Sequence, residues 1–178
     1  MSLSSLINQA HFIRGLDSQT NPVQPLKIRV SEYLDSNGAQ AGHRLQVFLY
    51  NATGAATVDG QVCMVAYDGD EETNPSCIAS ATTAVQRDFV VSDGIIAVTS
   101  WGWWTVNGYA NVLVEGTTDL TKDDYIQAVT AAAYAVEDTT SQTADSIGIY
   151  CDVDYTTNAV STGAPKKCFL FGGTHLIG

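Results

Sequence analysis

The most regular pattern in the chain is the segment LKIRVS, where Leu26, Ile28 and Val30 take every second position and Lys27, Arg29 and Ser31 fall between them. A period of two marks a strand with one face on a core and one in water, so Leu26, Ile28 and Val30 are predicted to face inward. Short runs of β-branched and aromatic residues recur at 45–50, 61–67, 85–91, 95–99, 109–115, 147–154 and 168–171. They alternate with SNGAQAG, DGDEETNP, SDG, EGTTDLTKDD and STGAP, which are rich in the residues that supply turn geometry. Strands at this spacing, with almost no helical periodicity, predict an all-β fold: a small β-sandwich or β-barrel of short antiparallel strands. Its core should include Ile28, Val30, Val47, Val112, Val114, Ile147 and Ile149. The Ala-rich segment 127–138 has the propensity for a short helix, but it builds no convincing helical stripe and is read as strand.

Residues 1–25 stand apart from this pattern and end in Pro22 and Pro25, which disfavour regular pairing. They read as an extended N-terminal arm ahead of a single β domain, 26–178. The arm carries Leu3, Leu6, Ile7, Phe12, Ile13 and Leu16, apolar side chains that need a surface to cover.

Composition narrows the partners. The 178 residues suffice for one domain, 45% are hydrophobic and 15% charged, and no run of about 18 apolar residues suggests a membrane span. Eight Lys and Arg against nineteen Asp and Glu give a net charge of −11, which repels phosphate backbones, so no nucleic-acid partner is expected. The first residues lack the basic start and apolar stretch of a secretory signal, which points to synthesis in a cytoplasm.

Candidate chemistry is sparse. There is no GxSxG elbow, no Walker-type loop and no GxGxxG, while His11, His43 and His175 fall in the arm, a Gly-flanked turn and the C-terminal tail. No catalytic residue and no cofactor is expected. Asp68, Asp70, Glu71 and Glu72 crowd one loop, and Asp152 and Asp154 share a strand face, but the loop fails the calcium-loop pattern and reads as a solvated acidic turn. No metal site is expected. Cys63, Cys77, Cys151 and Cys168 form no CxxC pair and read as buried free thiols, with a bridge between Cys63 and Cys77 left open.

The cluster Trp101, Trp103, Trp104 with Tyr109 is the most unusual local feature. On a strand, Trp101 and Trp103 share one face and Trp104 takes the other, so at least one large ring is exposed or covered from outside the sheet. A core pair, a subunit interface or a sugar-stacking platform would each use such rings.

At this cluster the chain resembles a known group. WGWWTVNGYANVLVEGTTDLTKDDYIQA, residues 101–128, is similar to a segment of capsid decoration (cement) and related minor virion proteins of tailed bacteriophages. In those proteins an aromatic-rich strand ends in a small-residue turn, a second strand reads small-x-Val-x-Val, and a loop turns back into the sheet. AYAVEDTTSQTADSIGIYCDVDY, residues 133–155, is similar to the part that follows. The two segments cover about a third of the chain, and Lys122-Asp123-Asp124 stands where a Gly often precedes the final turn Asp. The resemblance implies a non-enzymatic β-rich protein, often a homotrimer, that sits on the outer surface of an icosahedral head and clamps neighbouring major capsid subunits. Its partners would be the major capsid protein and itself, through the arm residues and Trp101, Trp103, Trp104 and Tyr109. The alternative is a β-sandwich carbohydrate-binding module using the Trp cluster.

Overall fold

The computed structural model describes residues 28–34, 37–66, 76–79, 89–116, 120–128, 135–137, 146–152 and 160–172. Of the described part 68% is strand and none is helix, the all-β fold expected from the alternation. Ten strands follow in order: β1 (Ile28–Leu34), β2 (Gln40–Asn51), β3 (Val62–Ala66), β4 (Ser76–Ala79), β5 (Phe89–Ser92), β6 (Trp101–Gly116), β7 (Tyr125–Ala128), β8 (Ala135–Glu137), β9 (Ser146–Tyr150) and β10 (Val160–Leu170). The N-terminal arm, with Leu3, Leu6, Ile7, Phe12, Ile13 and Leu16, lies outside the described residues.

All ten strands belong to one sheet that closes on itself twice. Following neighbours from β2 through β4, β3 and β5 to β6 leads back to β2, and following β6 through β10, β9, β7 and β8 leads back to β6. The described strands therefore form two small rings sharing β6. Most pairs are antiparallel; β2 with β4 and β6 with β8 are the parallel ones among the described strands.

The two rings carry two cores. Val47, Leu49, Cys63, Val65, Val90, Ile96, Trp104 and Val106 fill the first. Ala110, Val112, Val114, Leu120, Ile126, Ala135, Ile147, Tyr150, Cys168 and Leu170, joined by Val62 and Val91, fill the second. One half of β6 serves each, which is why this strand needs sixteen residues.

The spacing placed a separate strand at 109–115, but β6 runs from Trp101 through Asn107-Gly108 to Gly116 without a break. The chain accommodates this with an irregularity instead of a reversal: Leu45 pairs with Asn107 and Gln46 with Thr105, leaving Val106 as a bulge. Gly108 follows at φ +88°, where a Cβ would run into the His43 carbonyl and the Arg44 Cα of β2. An Asn-Gly pair here bends a strand where it would elsewhere end a hairpin.

Two further expectations are corrected. Residues 95–99 form a loop, because their backbone groups are claimed by side chains. The carbonyls of Ile96 and Ala97 accept from Asn51 Nδ2 at 3.0 and 3.2 Å, and the Ile96 amide donates to Thr57 Oγ1 at 2.7 Å. The burial expected for the apolar face of β1 is also not reached. Ile28 and Val30 are 38% and 68% exposed, while Tyr33 on the other face is 5% exposed. They do stand opposite Val47 and Leu45, on the core side of the sheet, but β1 lies outside the ring and its apolar side chains overhang the core. Of the other expected core residues, Val47, Val112, Val114 and Ile147 are buried, and Ile149 is only partly so.

Segment 127–138 is strand at both described ends, in β7 and β8, where Ala128 pairs with Ala135. Cys63, Cys151 and Cys168 are free thiols, so Cys63 forms no bridge to Cys77.

Candidate functional site

The face of β2 opposite its core residues carries Arg44, Gln46, Phe48 and Tyr50, alternating with Leu45, Val47 and Leu49. Pairing with β6 sets Phe48 against Trp103 and Tyr50 against Trp101. The four rings pack as a row: Tyr50 edge-on to Trp101 at 5.7 Å, Phe48 stacked with Trp101 at 6.1 Å, and Phe48 tilted on Trp103 at 5.1 Å. All four are half-buried, with part of each ring open to solvent. Trp104 is fully buried on the other side, where its indole N–H donates to the Leu49 carbonyl at 3.3 Å. It is a core residue, so its ring is not available to a partner.

Beyond Trp103 the row passes into charge. The Arg29 guanidinium lies 4.0 Å above the Trp103 ring and its Nε donates to Gln46 Oε1 at 2.7 Å. Gln46 has no exposed surface, yet its amide is saturated: Oε1 also accepts from Ser31 Oγ at 2.8 Å, and Nε2 donates to Asp93 Oδ2 at 2.9 Å and Thr105 Oγ1 at 3.2 Å. Asp93 sits between two cations, with Arg44 Nη1 at 2.8 Å and Arg29 Nη2 at 3.4 Å. Satisfied polar networks of this kind hold their members in one geometry.

A second aromatic group lies beyond the network. Tyr33 and Tyr109 are 5.9 Å apart, Tyr109 meets Phe169 edge-on at 5.2 Å, and Tyr33 Oη donates to Asn111 Oδ1 at 2.7 Å. Lys167 Nζ lies 4.8 Å from the Tyr109 ring and 5.7 Å from Tyr33. The site is thus a row of rings, a fixed Arg-Asp-Arg cluster and a second ring group crossed by a lysine.

Of the expected interface residues, Trp101 and Trp103 come together in the first ring group, Tyr109 lies in the second, Trp104 is in the core, and the arm is outside the described residues. Arg29, Gln46, Asp93, Phe48 and Tyr50 were not foreseen. The signal for three of them was the period-two row Arg44-Gln46-Phe48-Tyr50, which reads as a polar and aromatic outer face. Asp93 sits in a turn and reaches the site only through the closure of β5 onto β6.

Elsewhere, Asp152 Oδ2 accepts from the Lys167 amide at 3.4 Å, while Asp154 and the acidic loop 68–72 lie outside the described residues. His43 is exposed on β2 with its ring 3.3 Å from Gln40 Nε2, and His11 and His175 are outside the described residues. Burial pushes the Cys168 thiol well above its ordinary value, with Cys151 and Asp152 adding to the shift, and Cys151 itself is raised chiefly by burial. In comparison with known proteins, no family model, curated protein or solved structure matches the chain.

Proposed function

We propose that this chain is a non-enzymatic virion structural protein that binds the outer surface of a tailed-phage head and holds neighbouring major capsid subunits together, docking through the aromatic and cationic face of β2 and β6. The observation that carries the docking role is the row Tyr50, Trp101, Phe48 and Trp103 with Arg29 over its end. Aromatic residues and Arg are the types enriched where proteins bury surface against one another, and here they are held rigid before any partner arrives. The similarity of residues 101–128 to decoration proteins supports the choice of partner. Charge fits an ordered encounter: in a chain of net −11, Arg29, Arg44 and Lys167 lie on this one face.

The same rings could stack on sugars, as in the carbohydrate-binding alternative. Against it, Arg29 covers one face of Trp103 and the Phe48, Trp101 and Tyr50 rings lie against one another, which leaves edges open more than broad planes.

The test is attachment of purified protein to undecorated heads. Trp101→Ala with Trp103→Ala should weaken binding by about tenfold or more, the cost of losing central aromatic anchors. Raised salt should slow attachment more than it speeds release, since screening removes steering and leaves apolar contact intact. Undiminished binding by the double variant refutes this docking face, and binding to glycans in place of heads favours the alternative.

A further inference from the structure

Among the described residues β1 is the one strand with a neighbour on a single side, β2. Native edge strands are usually blunted by lysine, proline, short length or an inward charge. β1, sequence IRVSEYL, has seven residues, no lysine and no proline, and its cation Arg29 is already engaged with Gln46 and Asp93. Its core-side face presents Ile28, Val30 and Leu34 at 38%, 68% and 52% exposure, with Glu32 the single charge among them. An open ladder edge with uncovered apolar side chains on one face is the form that strand addition uses.

We propose that the occupant of this edge is a second copy of the chain, with β1 pairing antiparallel to β1 about a two-fold axis through Ser31. Self-complementarity of the strand argues for this occupant. Centred on Ser31, the pairing engages all seven residues: Ile28 faces the second copy's Leu34, Arg29 its Tyr33, Val30 its Glu32, and Ser31 its Ser31. Ile28 with Leu34 sets apolar against apolar and Ser31 sets hydroxyl against hydroxyl, both favourable cross-strand pairs, while Val30 opposite Glu32 is the mismatched pair. The shifted registers that keep the same faces aligned form fewer pairs, and those centred on Arg29 or Glu32 set like charges opposite each other. Because opposed residues in an antiparallel pair point to the same side, both copies' Arg29-Ser31-Tyr33 faces lie on one side of the joined sheet. The two aromatic and cationic faces then form one continuous surface. This contact is two-fold, in place of the three-fold association that the resemblance implies, and it stands without the capsid reading because it is tested with no capsid present.

The full chain is examined by sedimentation velocity over a range of concentrations. The wild type should sediment as a dimer. Val30→Glu alters an exposed side chain and sets a carboxylate opposite the other copy's Glu32 on each side of the axis, so self-association should weaken by about tenfold or more. Adding Glu32→Lys to that variant turns both clashes into opposite-charge pairs and should restore the dimer, with circular dichroism unchanged throughout. Amide exchange in β1 of the wild type should slow as concentration rises. A monomer at all concentrations, a trimer, or a dimer indifferent to Val30→Glu overturns the proposal.

Discussion

At the scale of single residues, the backbone stores strain at two non-glycine positions among the described residues. Thr99 has φ +57° and Asp123 φ +76°. Asp tolerates the left-handed region, and Asp123 occupies the place where the phage pattern often has Gly. Its amide donates to the Tyr150 carbonyl at 2.9 Å, and the adjacent Asp124 amide closes the turn onto the Thr121 carbonyl at 3.1 Å. The departure from the pattern therefore keeps the turn. Thr99 is β-branched, exposed and more strained, so Thr99→Gly should raise stability by about 1 kcal/mol in urea denaturation, relief outweighing the entropy of the added glycine. Cys168 gives a pH effect of definite sign. The folded thiol keeps its proton where the unfolded thiol, with an ordinary value of 9.0, releases it. Protons are then lost on unfolding, so stability is full below about pH 9 and falls as pH rises beyond it. Between about pH 8 and about pH 10, Cys168→Val should lose less stability than the wild type.

At the scale of elements, what was legible followed from period two, and what was not followed from contacts between distant segments. The strands of β2, β3 and β9 were readable because their alternation or β-branched runs coincide with their pairing, whereas β10 was legible only at 168–170: the STGAP stretch expected as a turn lies within it, with Ala164 pairing Val114 and Pro165 pairing Leu113. Residues 95–99 carry the same composition but become a loop, since a buried Asn51 far away in sequence takes their carbonyls. The period of β1 was right and its burial was not, because alternation says which residues share a side and not whether that side is covered. The stability consequence is measurable by truncation. Val30→Ala should cost less than about 0.5 kcal/mol, whereas Val112→Ala, fully buried on β6, should cost about 2 kcal/mol or more by equilibrium unfolding. The aromatic and cationic face was half legible: Trp101 and Trp103 announced themselves, while Arg29 and Asp93 are joined only by the sheet's closure.

At the scale of the whole molecule, two rings on one shared strand make each core depend on β6, and the hydrogen-bonded cluster around Gln46 ties β1, β2, β6 and the turn after β5 into the same unit. The sharing also orders events during synthesis. The first ring has all its strands once Gly116 has emerged, but β6 then still waits for β10, whose pairing begins at Val160. At about 5–20 residues per second, the ribosome leaves that second edge of the longest strand bare for several seconds. A nascent chain paused in this interval carries a half-built protein with a long apolar ladder open to its neighbours, so translation speed between Gly116 and Val160 sets how much of this protein reaches its fold before it meets another copy.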